Sequence, residues 1–448
     1  MKKTLIAVAA AAALTATSAF AEITFGAWLR SITGVASNGE DILTGTSNSW
    51  GGIRPSRVNV AGTSDDGNAG FKLDVYFNAT KAQTVNADGT FGGSTQVLEV
   101  GDNAYIWVKP ASSVQLALGK FDGGETGLRG DFCYGSWNWL RPFNWVRDGE
   151  GLTFDGIWRS GMMLEADPIE GLHAFAVIPM SSSYKSAEET YRNIQVGFGY
   201  TIEGVGKLKA QFIGDYGYTT KKKPASTYHF DTETGTGTLD DDVAYDKDQD
   251  KTTGQIGVAF DITAIENLYV TVGARFGIAD KDYAPDYLKM EFSAGASYQV
   301  SETMKFSVDG NYKQYQDKVL GGGDDSLFSV GAGVDFTVMD GLAAVADVRY
   351  MSNAKGVNKK DADAVKDWKG YGKDNDEGAI SFLVGVNKSV GSNGSIGIGF
   401  QGATNNCGLV TNDGSGIVGG KSYSWDKDDN KDNDNFVWAI PVSVSVFF

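Results

Sequence analysis

His173 and His229 are the only imidazoles in 448 residues, and Cys133 and Cys407 are the only thiols. A hydrolase needs a histidine beside a nucleophile or a pair of acids. Neither histidine stands in such a constellation. His173 sits near the start of an alternating apolar run, and His229 lies in a polar stretch. The sequence therefore argues against an enzyme. Acidic residues crowd two segments, Asp240 to Asp250 and Asp426 to Asp434. Neither has the glycine and terminal glutamate of an EF-hand loop, so they read as solvated faces, and no metal or cofactor is expected.

The densest polar and aromatic chemistry lies between Asp122 and Ile157. Arg129, Arg141 and Arg147 are interspersed with Asp131, Asp148 and Glu150, and Trp137, Trp139 and Trp145 stand among them. Long segments without secondary structure of their own usually carry a task or are disordered, and the aromatic density here argues against disorder. Something must hold this segment, and the flanking sequence shows what.

Those flanks alternate. Phe436, Trp438, Ile440, Val442, Val444, Val446 and Phe448 occupy every second position at the C-terminus, with mostly small residues between them. The same period recurs in Phe71 to Phe77, Val114 to Leu118, Leu268 to Phe276 and Met304 to Tyr312. Successive side chains of a strand point to opposite faces, so each run has one wholly apolar face. The other face mixes Lys, Arg, Asp and Gly, as a water-filled interior would. Arg30, Arg57, Lys72, Asp74, Arg275 and Arg349 fall on that second face, as do Lys305, Asp309, Lys313 and Asp347.

The N-terminus carries Lys2 and Lys3, the apolar run Leu5 to Leu14, and Ala19-Phe20-Ala21. This is the pattern of an export signal, residues 1–21, removed before Glu22. No later segment is apolar for long enough to cross a bilayer as a helix. The chain has 59 glycines and a net charge of −17, which argues against nucleic acid as a partner. Mean hydropathy is negative, as expected where apolar and polar residues alternate.

The connections alternate in length. Short ones include 65–69, 110–113, 168–171, 203–206, 301–303, 338–341 and 391–394. Long ones include 38–50, 81–95, 122–157, 219–250, 353–378 and 405–435. Short turns at one rim and long loops at the other characterise transmembrane β-barrels. The fold class is therefore all-β: one antiparallel barrel over 22–448 with about 18 strands, 16 being the alternative. An even count leaves both termini on the periplasmic side.

Three stretches make the resemblance specific. Ser56 to Phe71 resembles the second strand, acidic-glycine turn and third strand of Gram-negative outer-membrane porins. Asn103 to Lys109 and Val114 to Lys120 resemble the fourth and fifth strands. The segment 122–157 then stands where the family has its third loop, which folds into the lumen. The resemblance implies a passive channel for small hydrophilic solutes and ions. It implies a constriction lined by Arg129, Asp131, Arg141, Arg147, Asp148 and Glu150. Opposed charges across a narrow gap of low dielectric would order polar solutes. It also implies a homotrimer among outer-membrane lipids, and a terminal Phe448 read by the barrel-assembly machinery. Trp137, Trp139 and Trp145 leave two readings open: packing of the loop, or an aromatic track for sugars of the maltoporin type. A structural or adhesive barrel is the alternative class. The exported compartment permits a disulfide between Cys133 and Cys407.

Overall fold

The computed structural model describes residues 22–37, 42–47, 56–77, 84–85, 91–92, 98–121, 160–181, 187–215, 228–231, 236–239, 253–279, 287–316, 326–352, 379–404 and 436–448. In chain order the strands are β1 (Glu22–Ser37), β2 (Ile42–Ser47), β3 (Ser56–Thr63), β4 (Ala69–Phe77), β5 (Thr84–Val85), β6 (Phe91–Gly92), β7 (Leu98–Ala111) and β8 (Val114–Lys120). β9 (Ser160–Ile169), β10 (Leu172–Pro179), β11 (Gln195–Ile202), β12 (Gly206–Gly214), β13 (Tyr228–Asp231), β14 (Thr236–Leu239), β15 (Gly254–Ile262) and β16 (Leu268–Ile278) follow. The last are β17 (Leu288–Ser301), β18 (Met304–Tyr315), β19 (Ser326–Met339), β20 (Leu342–Met351), β21 (Ala379–Val390), β22 (Gly394–Ala403) and β23 (Val437–Phe447). A short helix, Ala187–Tyr191, lies between β10 and β11.

Apart from β2 and β3, which both pair with β1, each wall strand pairs antiparallel with the next wall strand, and β1 pairs with β23 from Trp28↔Phe447 to Ser37↔Trp438. That pairing closes the sheet, so no edge remains to be satisfied in lipid. The sheet has 19 strands because one wall position is split. β2 pairs with the second half of β1, and β3 pairs with its first half. Counted as one position, they give a closed barrel of 18 strands rather than 16. The expected long connection 38–50 is thus partly strand. Ile42, Leu43, Thr44 and Thr46 are good strand formers, and they extend the first hairpin. Small hairpins also form within two other long connections, β5 with β6 and β13 with β14. His229 therefore lies on a strand rather than in an irregular loop.

The short turns have a chemical cause. Gly67 and Gly341, both at φ 69°, take the left-handed conformation that a tight turn between strands demands. In the first of these turns Asp66 accepts hydrogen bonds from Ser64 Oγ at 2.6 Å and from the Asn68 amide at 3.0 Å. Those donors hold the Asp66 carboxyl down from its ordinary 3.8 to about 2.

Burial follows the two-residue period. On β18, Phe306, Val308 and Tyr312 are exposed, while Ser307, Asp309 and Asn311 are buried. On β23, Ile440 and Val444 are exposed, while Ala439, Ser443 and Ser445 are buried. The exposed face is apolar and the buried face polar, the inverse of a soluble protein. Only lipid makes such an exterior stable. Phe276–Phe292, Phe328–Tyr350 and Phe382–Phe436 meet on the outer face near the long-loop rim. Aromatic rings of this kind form the girdle at a membrane interface.

Candidate functional site

The interior wall is not uniform. From β12 to β20 it carries charged side chains paired across strands. Lys209 Nζ lies 2.5 Å from Asp261 Oδ2, and Thr271 Oγ1 donates to Asp261 Oδ1 at 2.8 Å. Arg275 Nε donates to Glu291 Oε2 at 2.7 Å, and its Nη2 also meets that carboxylate. Lys313 approaches the other oxygen of Glu291 at 3.9 Å, and Asn311 donates to it at 2.6 Å. Arg349 Nη2 donates to both oxygens of Asp309, at 2.7 and 2.6 Å, while Nη1 donates to Ser329 Oγ at 3.1 Å. Lys305 pairs with Asp335 at 2.9 Å.

Strand register builds this ladder. Arg275 stands opposite Glu291, and Glu291 opposite Lys313, so three charges of alternating sign form one row. Asp309, Gly331 and Arg349 form another row, in which the glycine leaves room for the guanidinium to cross a strand. A Cβ at Gly331 would lie 2.7 Å from Arg349 Nη2. The rows lie at different depths, from Lys305–Asp335 by the short-turn rim to Arg275–Glu291–Lys313 towards the long loops.

From β7 to β10 the interior wall is apolar instead. Ala117, Phe121, Met163, Phe175 and Val177 are buried together, and Tyr105 and Trp107 pack against them. Tyr105 and Phe121 meet with ring centroids 5.4 Å apart. At the short-turn end of this sector His173 Nδ1 is 2.9 Å from Asp167 Oδ1, and Gln115 donates to Glu165 Oε2 at 2.9 Å. Among the described residues, no group of three or more His, Cys, Asp and Glu is placed to hold a metal ion.

The residues expected from sequence divide in two. Arg57, Lys72, Asp74, Arg275 and Arg349 lie on the interior face. Asp74 is buried and accepts from Asn103 Nδ2 at 2.9 Å. Arg57 lies over Trp28, 5.8 Å from the ring centroid. Arg30 is on β1. Arg129, Asp131, Arg141, Arg147, Asp148, Glu150, Trp137, Trp139, Trp145, Cys133 and Cys407 lie outside the described residues. Lys209, Asp261, Glu291 and Asp335 were not singled out from sequence. Their alternation was visible, but which charges oppose one another depends on pairing between strands.

The Porin subfamily model matches residues 184–398, a stretch that contains the whole ladder from Lys209 to Arg349. Among solved structures, one of OccD1 (OprD) aligns with a TM-score of 0.50 at 12% identity, covering 96% of each chain. The anion-selective porin from Comamonas acidovorans aligns at 0.48 and 12%, over 95% of this chain and 99% of that one. The outer membrane channel DcaP of Acinetobacter baumannii aligns at 0.43 and 11%, over 95% and 97%. No curated protein sequence matches significantly. At 12% identity the OccD1 structure speaks only to fold. The family match covers just under half of the chain, and together with the closed 18-strand wall it supports an outer-membrane β-barrel porin.

Proposed function

We propose that the barrel conducts small hydrophilic solutes and ions passively, and that its charged wall from β12 to β20 sets which of them pass. The carrying observation is the row Arg275–Glu291–Lys313. Alternating charge on a wall of low dielectric gives a transverse field that acts on polar solutes and small ions. A packed structural barrel has no use for such charges, since desolvating them costs several kcal/mol per ion in general.

The segment 122–157 supplies the constriction in this reading, with Arg129, Arg141 and Arg147 facing Asp131, Asp148 and Glu150. Residues 1–21 direct export. Phe448 is recognised by the barrel-assembly machinery, and three copies assemble in the outer membrane. The terminal residue is suited to recognition, being 73% exposed. Its backbone is bonded to Ala27 in both directions at the β1–β23 seam.

Conductance of the purified protein in a planar bilayer tests the proposal. Stepwise, ohmic channels whose reversal potential depends on the salt gradient are expected. A protein that inserts and conducts nothing would be a structural barrel.

A further inference from the structure

Asp347 on β20 is 4% exposed, and neither of its carboxylate oxygens has a hydrogen-bond partner. Ser307 on β18 is 3% exposed, and its Oγ is also buried without a partner. The two lie on the same interior row, Ser307–Gly333–Asp347. Neighbouring strands run ~4.8 Å apart, so these backbones face each other at about 10 Å across a residue with no side chain.

The adjacent row shows how this wall fills such a gap. There the order is Asp309–Gly331–Arg349, and the guanidinium spans the glycine to reach the carboxylate. In the Ser307–Gly333–Asp347 row no cation among the described residues does the same. The surrounding charges are already matched. Arg349 is paired with Asp309 and Lys305 with Asp335. Asp335 and Asp309 place like charge around Asp347, and Arg349 and Lys305 place opposite charge there, so among the described residues the group holds three acids and two bases. A buried carboxylate with neither a bonded donor nor a matched cation is costly, and that cost is relieved by a ligand that brings both.

We infer that Ser307 and Asp347 form a binding station on the channel wall for a primary ammonium group, as borne by small amines and amino compounds. The three acceptor atoms, Oδ1, Oδ2 and Ser307 Oγ, match the three N–H donors of an ammonium. An alkali cation offers charge without directed donors, and a quaternary ammonium offers charge with none. The inference rests on the channel reading for the route by which such a solute arrives.

Saturation-transfer NMR on the intact barrel in detergent micelles tests the station without requiring conduction. Methylammonium chloride is the probe, and tetramethylammonium and potassium chlorides are the controls. The expected result is a saturable methylammonium signal that excess potassium does not displace and tetramethylammonium does not show. Asp347→Asn should weaken it by about tenfold or more, as loss of charge-assisted hydrogen bonds implies. Ser307→Ala should weaken it less, and it decides the matter if the first variant fails to fold. Heat-dependent gel mobility reports whether each barrel is closed. A wild-type signal in both variants, or equal signals from methylammonium and tetramethylammonium, would overturn the station. Bilayer conductance measured in parallel keeps the two readings apart. A silent barrel that binds methylammonium refutes only the channel, and a conducting barrel that does not bind it refutes only the station.

Discussion

Arg349 and Asp309 stand on strands that do not touch, yet the guanidinium Nη2 bonds both carboxylate oxygens at 2.7 and 2.6 Å, across the bare backbone of Gly331. Arg349 is 1% exposed and Asp309 6%. A buried pair of this kind adds less to stability than its charges suggest, because both ions give up hydration. It does fix the register of β18, β19 and β20, since a slip of one residue would turn both groups towards lipid.

Removing one partner should therefore cost more than removing both. Arg349→Met is expected to destabilise the barrel by about 3–5 kcal/mol, because Asp309 then remains buried and uncompensated. The double substitution Arg349→Met with Asp309→Asn should recover much of that loss. Urea unfolding in lipid vesicles measures all four corners of the cycle. Additive losses would show that the two groups are not coupled.

Glu291 holds Arg275 and Lys313 together. Glu291→Gln deletes the acid and leaves two cations facing each other. The channel should shift towards anions, seen as a change of reversal potential in a potassium chloride gradient. The shift should be largest at low ionic strength, where the Debye length reaches ~30 Å at 0.01 M. A reversal potential unchanged at low salt would remove this row from the conduction path.

Val308 and Asp309 are neighbours in sequence, but Val308 is 54% exposed and points away from the lumen. Val308→Lys should destabilise the barrel by roughly 2–4 kcal/mol, the cost of a cation on the lipid face at mid-depth. Ser307→Lys, one residue earlier, should cost less because it points into the wall with Asp347. Vesicle unfolding of the two variants compares the faces directly.

Deleting Phe448 removes an exposed ring and two backbone hydrogen bonds to Ala27 at 3.0 and 2.9 Å. Export should continue while closed barrels in the outer membrane fall. Cell fractionation with heat-dependent gel mobility separates the two steps. Full recovery of closed barrels would show that the seam and the assembly step tolerate loss of the last residue.

Asp66 carries a pH dependence in a turn outside the membrane. Its pKa is about 2 in the folded turn and 3.8 ordinarily. A lowered carboxylate pKa stabilises the turn above the unfolded value, and that stabilisation is lost as pH falls through the folded one. Protection of the Asn68 and Ala69 amides should hold above about pH 4 and decline towards pH 2. Asp66→Ala should flatten that decline.

How much of this was legible in the sequence can be judged strand by strand. Phe306, Val308 and Tyr312 alternate with Ser307, Asp309 and Asn311 in the sequence as they do on the barrel, because the two faces of a strand are fixed by covalent geometry. The closing run to Phe448, the glycine and acidic turns such as 64–68, and the rhythm of short and long connections were equally local. They determined the fold class and the direction of each face, and they left the strand count at 18 or 16. The split of the second wall position into β2 and β3 was not legible, since 42–47 looks like one more part of a polar loop until Ser37↔Ile42 pairs it with β1.

The interior chemistry needed the tertiary structure for a related reason. Sequence places Arg275, Asp309, Asp347 and Arg349 on one face, but it does not say which charges face one another. Ion pairing depends on distances between strands, and register sets those distances. Only the assembled wall places Glu291 between Arg275 and Lys313, spans Gly331 with Arg349, and leaves Asp347 opposite Ser307 over Gly333. Each is a contact between residues far apart in the chain, and no periodicity encodes it.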